Sequence, residues 1–104
     1  MTTRLDQLQQ MLLQEPNDEF LQYAIGIEYF SVGNFTKALD CFKIILNNKP
    51  DYLAAYYQTG KCYEELKQIE EAKNIYTLGI ELAQKQNKQK TLSELREALF
   101  LLED

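Results

Sequence analysis

The chain has 104 residues, 45% hydrophobic and 26% charged, which suits a single folded domain and not a disordered segment. A net charge of -5 with no histidine argues against a nucleic-acid surface, which needs clustered Lys and Arg, and removes every site built on imidazole. No run of about 18 apolar residues exists to cross a membrane, residues 1–10 lack the apolar block of a secretory leader, and Cys41 and Cys62 are too few for a disulfide framework, so a cytoplasmic location is expected.

Thr3 is placed to cap a first helix, with Asp6 favouring its positive end. Leu5, Leu8, Met11 and Leu12 then make one apolar stripe at helical spacing. Pro16 ends that helix, because the residue before a proline is pushed out of helical backbone. Asn17 or Asp18 caps a second helix to about Val32, and Gly33 suits a left-handed end. Asn34 starts a third, about 35–48, closed by Asn-Lys-Pro. Asp51 is expected to cap a fourth, about 52–66. The following turn, Lys67-Gln68, lacks a glycine, and a fifth helix covers about 69–84. Gln84 to Lys90 has neither an apolar residue nor a breaker, so it reads either as a linker or as a continuation of the fifth helix. Thr91 with Glu94 has the form of a capping box opening a last helix to about Glu103.

Shifted by 34 positions, the chain meets itself: Pro16 falls on Pro50, Tyr23 on Tyr57, Gly26 on Gly60, Tyr29 on Tyr63 and Ala38 on Ala72. Phe42 falls on Tyr76, and in the first helix Leu5 meets Leu39 and Leu12 meets Leu46. A fixed period of this kind marks a helical repeat. Residues 1–15 then read as the second helix of a repeat, residues 16–49 and 50–84 as two whole repeats, and residues 85–104 as a linker and capping helix, since Glu94 breaks the phase. Gly26 and Gly60 sit inside helices, where each costs roughly 1 kcal/mol relative to Ala. Close approach of a neighbouring helix would offset that, with Ala38 and Ala72 as the small partners and Tyr29, Tyr63, Phe42 and Tyr76 filling the space beside the crossing.

This pattern resembles the tetratricopeptide repeat. Ile25, Gly26, Tyr29, Ala38, Phe42 and Pro50 stand at its signature positions in the first repeat, and Tyr56, Thr59, Gly60, Tyr63, Ala72 and Tyr76 in the second. Gln22 and Thr59 depart from the motif's first aromatic and its leucine, and Gln84 from its closing proline. The resemblance implies an all-α fold, a right-handed superhelical α-α solenoid of about two repeats with flanking N- and C-terminal helices.

It also implies a concave groove lined by the first helix of each repeat. By position the groove residues are Phe20, Tyr23, Ile27 and Phe30, then Ala54, Tyr57, Lys61 and Glu64. The residues support this independently: the second helix carries two apolar stripes, Leu21-Ile25-Tyr29-Val32 and Phe20-Tyr23-Ile27-Phe30, and one suffices for its own core. Tyr23 and Ile27 stand where relatives that bind acidic chaperone tails carry Lys and Asn, so that subgroup is a poor match.

The thiols read as inert core groups. Glu64-Glu65 and Glu70-Glu71 sit near Lys61, Lys67 and Lys73, as on a solvated helix face, and no Gly-rich phosphate loop is present. No catalytic site, metal or cofactor is expected. The expected function is a non-catalytic interaction module that holds a protein partner's peptide or helix, with no nucleic acid and no membrane. The alternative is a self-assembling unit, a homo-oligomer in which the groove and the last helix satisfy each other between chains, the helix through Leu95, Leu99, Phe100 and Leu102.

Overall fold

The computed structural model describes residues 3–103. It contains α1 (Arg4–Gln14), α2 (Glu19–Ser31), α3 (Phe35–Asn48), α4 (Ala54–Glu65), α5 (Ile69–Gln86) and α6 (Gln89–Leu102), with no strand among the described residues. Each helix packs chiefly on its neighbours in sequence, as expected of a solenoid. The fold is an all-α stack of six helices, in the arrangement that the repeat resemblance implies.

Local sequence explains most of the boundaries. Thr3 and Asp6 form a reciprocal capping box on α1. Asp18 accepts from Leu21 N–H to cap α2, and Asn34 accepts from Lys37 N–H to cap α3. Three helices end in the same way. Gly33, Lys67 and Asn87 all take positive φ, and the next residue's N–H bonds back five positions: Asn34 to Tyr29 O (2.9 Å), Gln68 to Tyr63 O (2.8 Å) and Lys88 to Ala83 O (2.9 Å). This Schellman-type closure uses glycine only once, so two non-glycine residues carry left-handed backbone.

Three expectations need correction. Asp51 does not cap α4. That helix begins at Ala54 after a turn at Leu53, without a side-chain cap, and the Asp51 carbonyl instead accepts a 2.9 Å bond from Gln86 Nε2 at the end of α5. Of the two readings of Gln84 to Lys90, continuation of the fifth helix holds through Gln86, and the linker shrinks to the turn at Asn87-Lys88. Thr91 and Glu94 form no capping box, because Thr91 already lies inside α6, whose cap position is Lys88.

The two repeats place matched residues in matched contacts. At both mid-helix glycines the close neighbour is an aromatic ring and not the predicted alanine. A Cβ on Gly26 would lie 2.6 and 2.7 Å from the Phe42 ring, and one on Gly60 would collide with the Tyr76 ring. Ala38 and Ala72 are fully buried in the same clusters as those rings, Ala38 with Phe42 and Ala72 with Tyr76. A third glycine, Gly79, lets α5 meet two helices at once: its Cβ would lie 2.9 Å from Tyr56 Cβ and 3.1 Å from a Leu95 methyl. One repeat earlier the equivalents of Tyr56 and Gly79 are Gln22 and Ile45. Tyr56 is buried and donates its hydroxyl to Pro50 O at 2.6 Å, latching the loop that enters α4. Gln22 makes no such bond to Pro16, and a small gap of about 20 Å³ lies between them, lined also by Ile45 and Asn48. The second repeat thus carries both the aromatic and the glycine, and the first carries neither.

Candidate functional site

The predicted groove residues lie on α2 and α4, and two of those on α4 face α6 across a cleft. On α2 most of them are committed to the core. The Tyr23 ring meets the edge of Phe42 at 5.6 Å between centroids and leans on Tyr52 at 6.0 Å. Phe30 stacks edge-on against Phe35 at 4.9 Å, and Ile27 packs on the same cluster. These three side chains are half-buried, so the second apolar stripe of α2 is largely covered by its own chain. Phe20 is not covered: it is 70% exposed.

On α4 the predicted residues remain accessible. Ala54 is exposed, and Tyr57, Lys61 and Glu64 are half-buried. Tyr57 and Lys61 form one wall of a cleft of about 230 Å³, whose other wall is Glu94, Glu97, Ala98 and Leu101 of α6. Lys61 Nζ sits 5.4 Å from the centre of the Tyr57 ring and 3.7 Å from a Glu64 carboxylate oxygen. Glu64 also accepts the hydroxyl proton of Tyr76. Burial first, and then this hydrogen bond, push the Tyr76 phenol well above its ordinary range. Glu64 thus serves the core from beneath and holds Lys61 above.

The α6 wall escaped sequence reasoning. Reading the last helix only for its apolar seam hid the face at Glu94, Glu97, Ala98 and Leu101, whose 3–4-residue spacing was the available signal. Of the four residues assigned to self-association, Leu95 is fully buried, against Gly79 among others, and cannot present itself to another molecule. Leu99 and Leu102 are half-buried on the α5–α6 core. Phe100 alone of that set is free, 75% exposed, next to Leu101 at 72%.

Elsewhere the chemistry is sparse. Cys41 and Cys62 are both buried as free thiols. Burial, and then the charge of Asp40, push Cys41 up to about 11. Burial, with Cys41 as the lesser cause, pushes Cys62 up to about 12. Neither is a thiolate at neutral pH. Among the described residues no three His, Cys, Asp or Glu side chains gather as metal ligands, and no helix is long and apolar enough to cross a membrane.

A model of the tetratricopeptide repeat matches residues 53–86, which takes in α4 and α5. A tetratricopeptide repeat domain protein from Salinibacter ruber, solved in solution, is 39% identical, with a TM-score of 0.79 over 85% of this chain and 89% of that one. A crystal structure of a tetratricopeptide repeat domain protein from the same organism gives 38% identity and a TM-score of 0.77, over 82% of this chain and 96% of that one. A solution structure of a Bordetella parapertussis protein is 25% identical, with a TM-score of 0.87 over 98% of this chain and 89% of that one. No curated protein matches the sequence. Tetratricopeptide repeats generally mediate protein–protein interactions and are generally non-catalytic. The repeat phase, the glycine–aromatic crossings and these likenesses together make the chain a member of the tetratricopeptide repeat family.

Proposed function

We propose that this chain is a non-catalytic interaction module that holds a peptide or helix of a protein partner in the groove between α4 and α6. The observation that carries the reading is the cleft formed by Tyr57, Lys61, Glu94, Glu97, Ala98 and Leu101. It joins an aromatic, an exposed leucine and several charges, and the exposed part of this set is not needed for the fold. Such mixed apolar and polar lining is what a groove for an extended or helical segment requires. Phe20, at the far end of the same series of helices, would extend the contact.

The test is selection from a random-peptide phage library, followed by chemical-shift mapping of a selected peptide on the labelled chain. Shifts should cluster at Tyr57, Lys61, Ala98 and Leu101, and Leu101→Ser should abolish capture without lowering the melting temperature. Shifts confined to Ile44 on α3 or to Met11 and Leu13 on α1 would place binding elsewhere and reject the groove.

A second reading, self-assembly, rests on the adjacent exposed Phe100 and Leu101 at the end of α6. It differs from the first in making a second copy the partner, and light scattering separates the two.

A further inference from the structure

The walls of the α4–α6 cleft differ in how their charges are already used. Lys61 is balanced by Glu64 at 3.7 Å and its ammonium lies over the Tyr57 ring. That wall is close to neutral in effect. The opposite wall carries Glu94 and Glu97, both exposed. Among the described residues neither makes an ion pair or a side-chain hydrogen bond, although Arg4, Lys49, Lys61 and Lys73 all do pair with carboxylates. Nor do they serve the helix. They lie beyond the first turn of α6, where the positive end of the helix would favour them, and a like-charged pair three residues apart is mildly unfavourable. Beside them lies the exposed Leu101, with Ala98 buried at its foot, so the charges border an apolar side chain.

From this charge arrangement we infer that the cleft takes a cationic segment: a stretch of partner chain in which one or two Lys or Arg side chains meet Glu94 and Glu97 while an adjacent apolar side chain lies against Leu101. The inference rests on the groove reading above and names the partner's chemistry. A cation entering here relieves the Glu94–Glu97 repulsion and finds carboxylates that, among the described residues, have no partner to give up. An acidic segment would meet two free carboxylates, and Lys61 would have to leave Glu64 to receive it. The net charge of -5 adds long-range attraction for a basic partner.

The same phage library tests this through the composition of what it yields. Peptides that require Leu101 should be enriched in Lys or Arg next to Leu, Ile or Phe. Synthetic copies should bind Glu94→Gln/Glu97→Gln roughly three- to tenfold more weakly, as expected for two partly exposed charge contacts. Added sodium chloride should weaken them further. Glu70→Gln/Glu71→Gln, on the exposed start of α5, should change nothing. Both double variants alter exposed side chains; the Glu70 and Glu71 changes also remove the Lys73 pair and the first-turn acids of α5, so melting curves check that each variant is fully folded at the binding temperature. Cleft-dependent peptides that are acidic or neutral, or that ignore Glu94→Gln/Glu97→Gln, overturn the charge assignment and leave the groove standing. Equal sensitivity to the Glu70 and Glu71 changes reduces the effect to general attraction and also overturns it. If no selected peptide depends on Leu101 or Tyr57, the groove itself fails and this inference falls with it.

Discussion

The ring of Tyr76 occupies the volume that a side chain at Gly60 would need. A Cβ there would overlap the ring edge severely, and even Cδ1, the farthest of its three nearest ring atoms, would be 2.7 Å away. Gly26 and Phe42 repeat the relationship one period earlier. The glycine is therefore half of a contact, and the roughly 1 kcal/mol it costs in a helix is offset by burying an aromatic side chain completely.

Gly60→Leu is accordingly expected to destabilise the fold by roughly 1–3 kcal/mol or more, since the Tyr76 ring must move and with it the hydroxyl that Glu64 accepts. Gly33→Ala is a contrasting case. Nothing lies within 4 Å of a Cβ there, so only the left-handed backbone at φ 81° resists the change, at about 1 kcal/mol. Thermal melts in which Gly60→Leu proved as mild as Gly33→Ala would refute the close-contact account.

Lys67 supplies the reverse experiment. It takes φ 63° at the position where the first repeat has Gly33, and its neighbour makes the same backward hydrogen bond. Lys67→Gly should therefore raise stability by up to about 1 kcal/mol, the relief of left-handed strain less the added freedom of the unfolded chain. A lowered melting temperature would mean that the Lys67 side chain contributes a contact the geometry does not reveal.

How legible all this was depended on whether a residue's meaning was repeated. Gly26 and Gly60, and Phe42 and Tyr76, are pairs at one fixed distance, so the fold is legible in the sequence alone. Asp51 shows the limit. An acidic residue after a proline looks like a cap, but the chain takes a further turn and α4 starts at Ala54. Thr91 and Glu94 mislead in the same way. The left-handed Asn87 closes α5 so tightly that α6 begins before the apparent capping box. The α6 wall of the cleft was invisible for a different reason. Glu94 and Glu97 acquire their role only from facing Tyr57 and Lys61, a juxtaposition about forty residues apart that the period cannot supply once the phase is lost.

Thr59 stands where the family motif has leucine. It is 1% exposed, and its hydroxyl finds no hydrogen-bond partner among the described residues. A buried hydroxyl left unpaired costs about 1–3 kcal/mol, and valine has nearly the same shape. Thr59→Val is expected to stabilise the chain by about 1 kcal/mol in denaturant titration. Destabilisation would show that the hydroxyl is satisfied in solution.

The buried thiols predict a pH dependence with a definite sign. Folding holds Cys41 and Cys62 protonated up to about 11 and about 12, against an ordinary value of 9.0. Below that ordinary value both states keep their protons and stability is unaffected. Above it the unfolded chain ionises first, so stability falls as pH rises towards the folded values, and the raised tyrosines Tyr52, Tyr56 and Tyr76 act in the same direction. Melting temperatures should decline from about pH 9 upward. At neutral pH the native thiols should resist alkylation until the chain is unfolded, while Cys41→Ser and Cys62→Ala should alter stability and leave peptide capture unchanged. Rapid alkylation of the native chain would contradict the burial argument.

The last helix separates capping from association. Leu95 is fully enclosed against Gly79 and the α5–α6 core, so Leu95→Ala should cost about 2–5 kcal/mol. Phe100 is 75% exposed, and Phe100→Ser should stay within about 0.5 kcal/mol of the native chain. The two-residue turn at Asn87-Lys88 holds α6 against its own α5, so an exchanged dimer would have to open that turn and empty the Leu95 site. Any association should therefore be a surface contact of Phe100 and Leu101 between intact chains. Light scattering over a concentration series should show at most a weak rise in mass for the native chain, removed by Phe100→Ser with no change in melting. A tight dimer that survives Phe100→Ser and dissociates only on loss of residues 89–104 would point to exchange of α6 and reverse the reading of this helix as a cap.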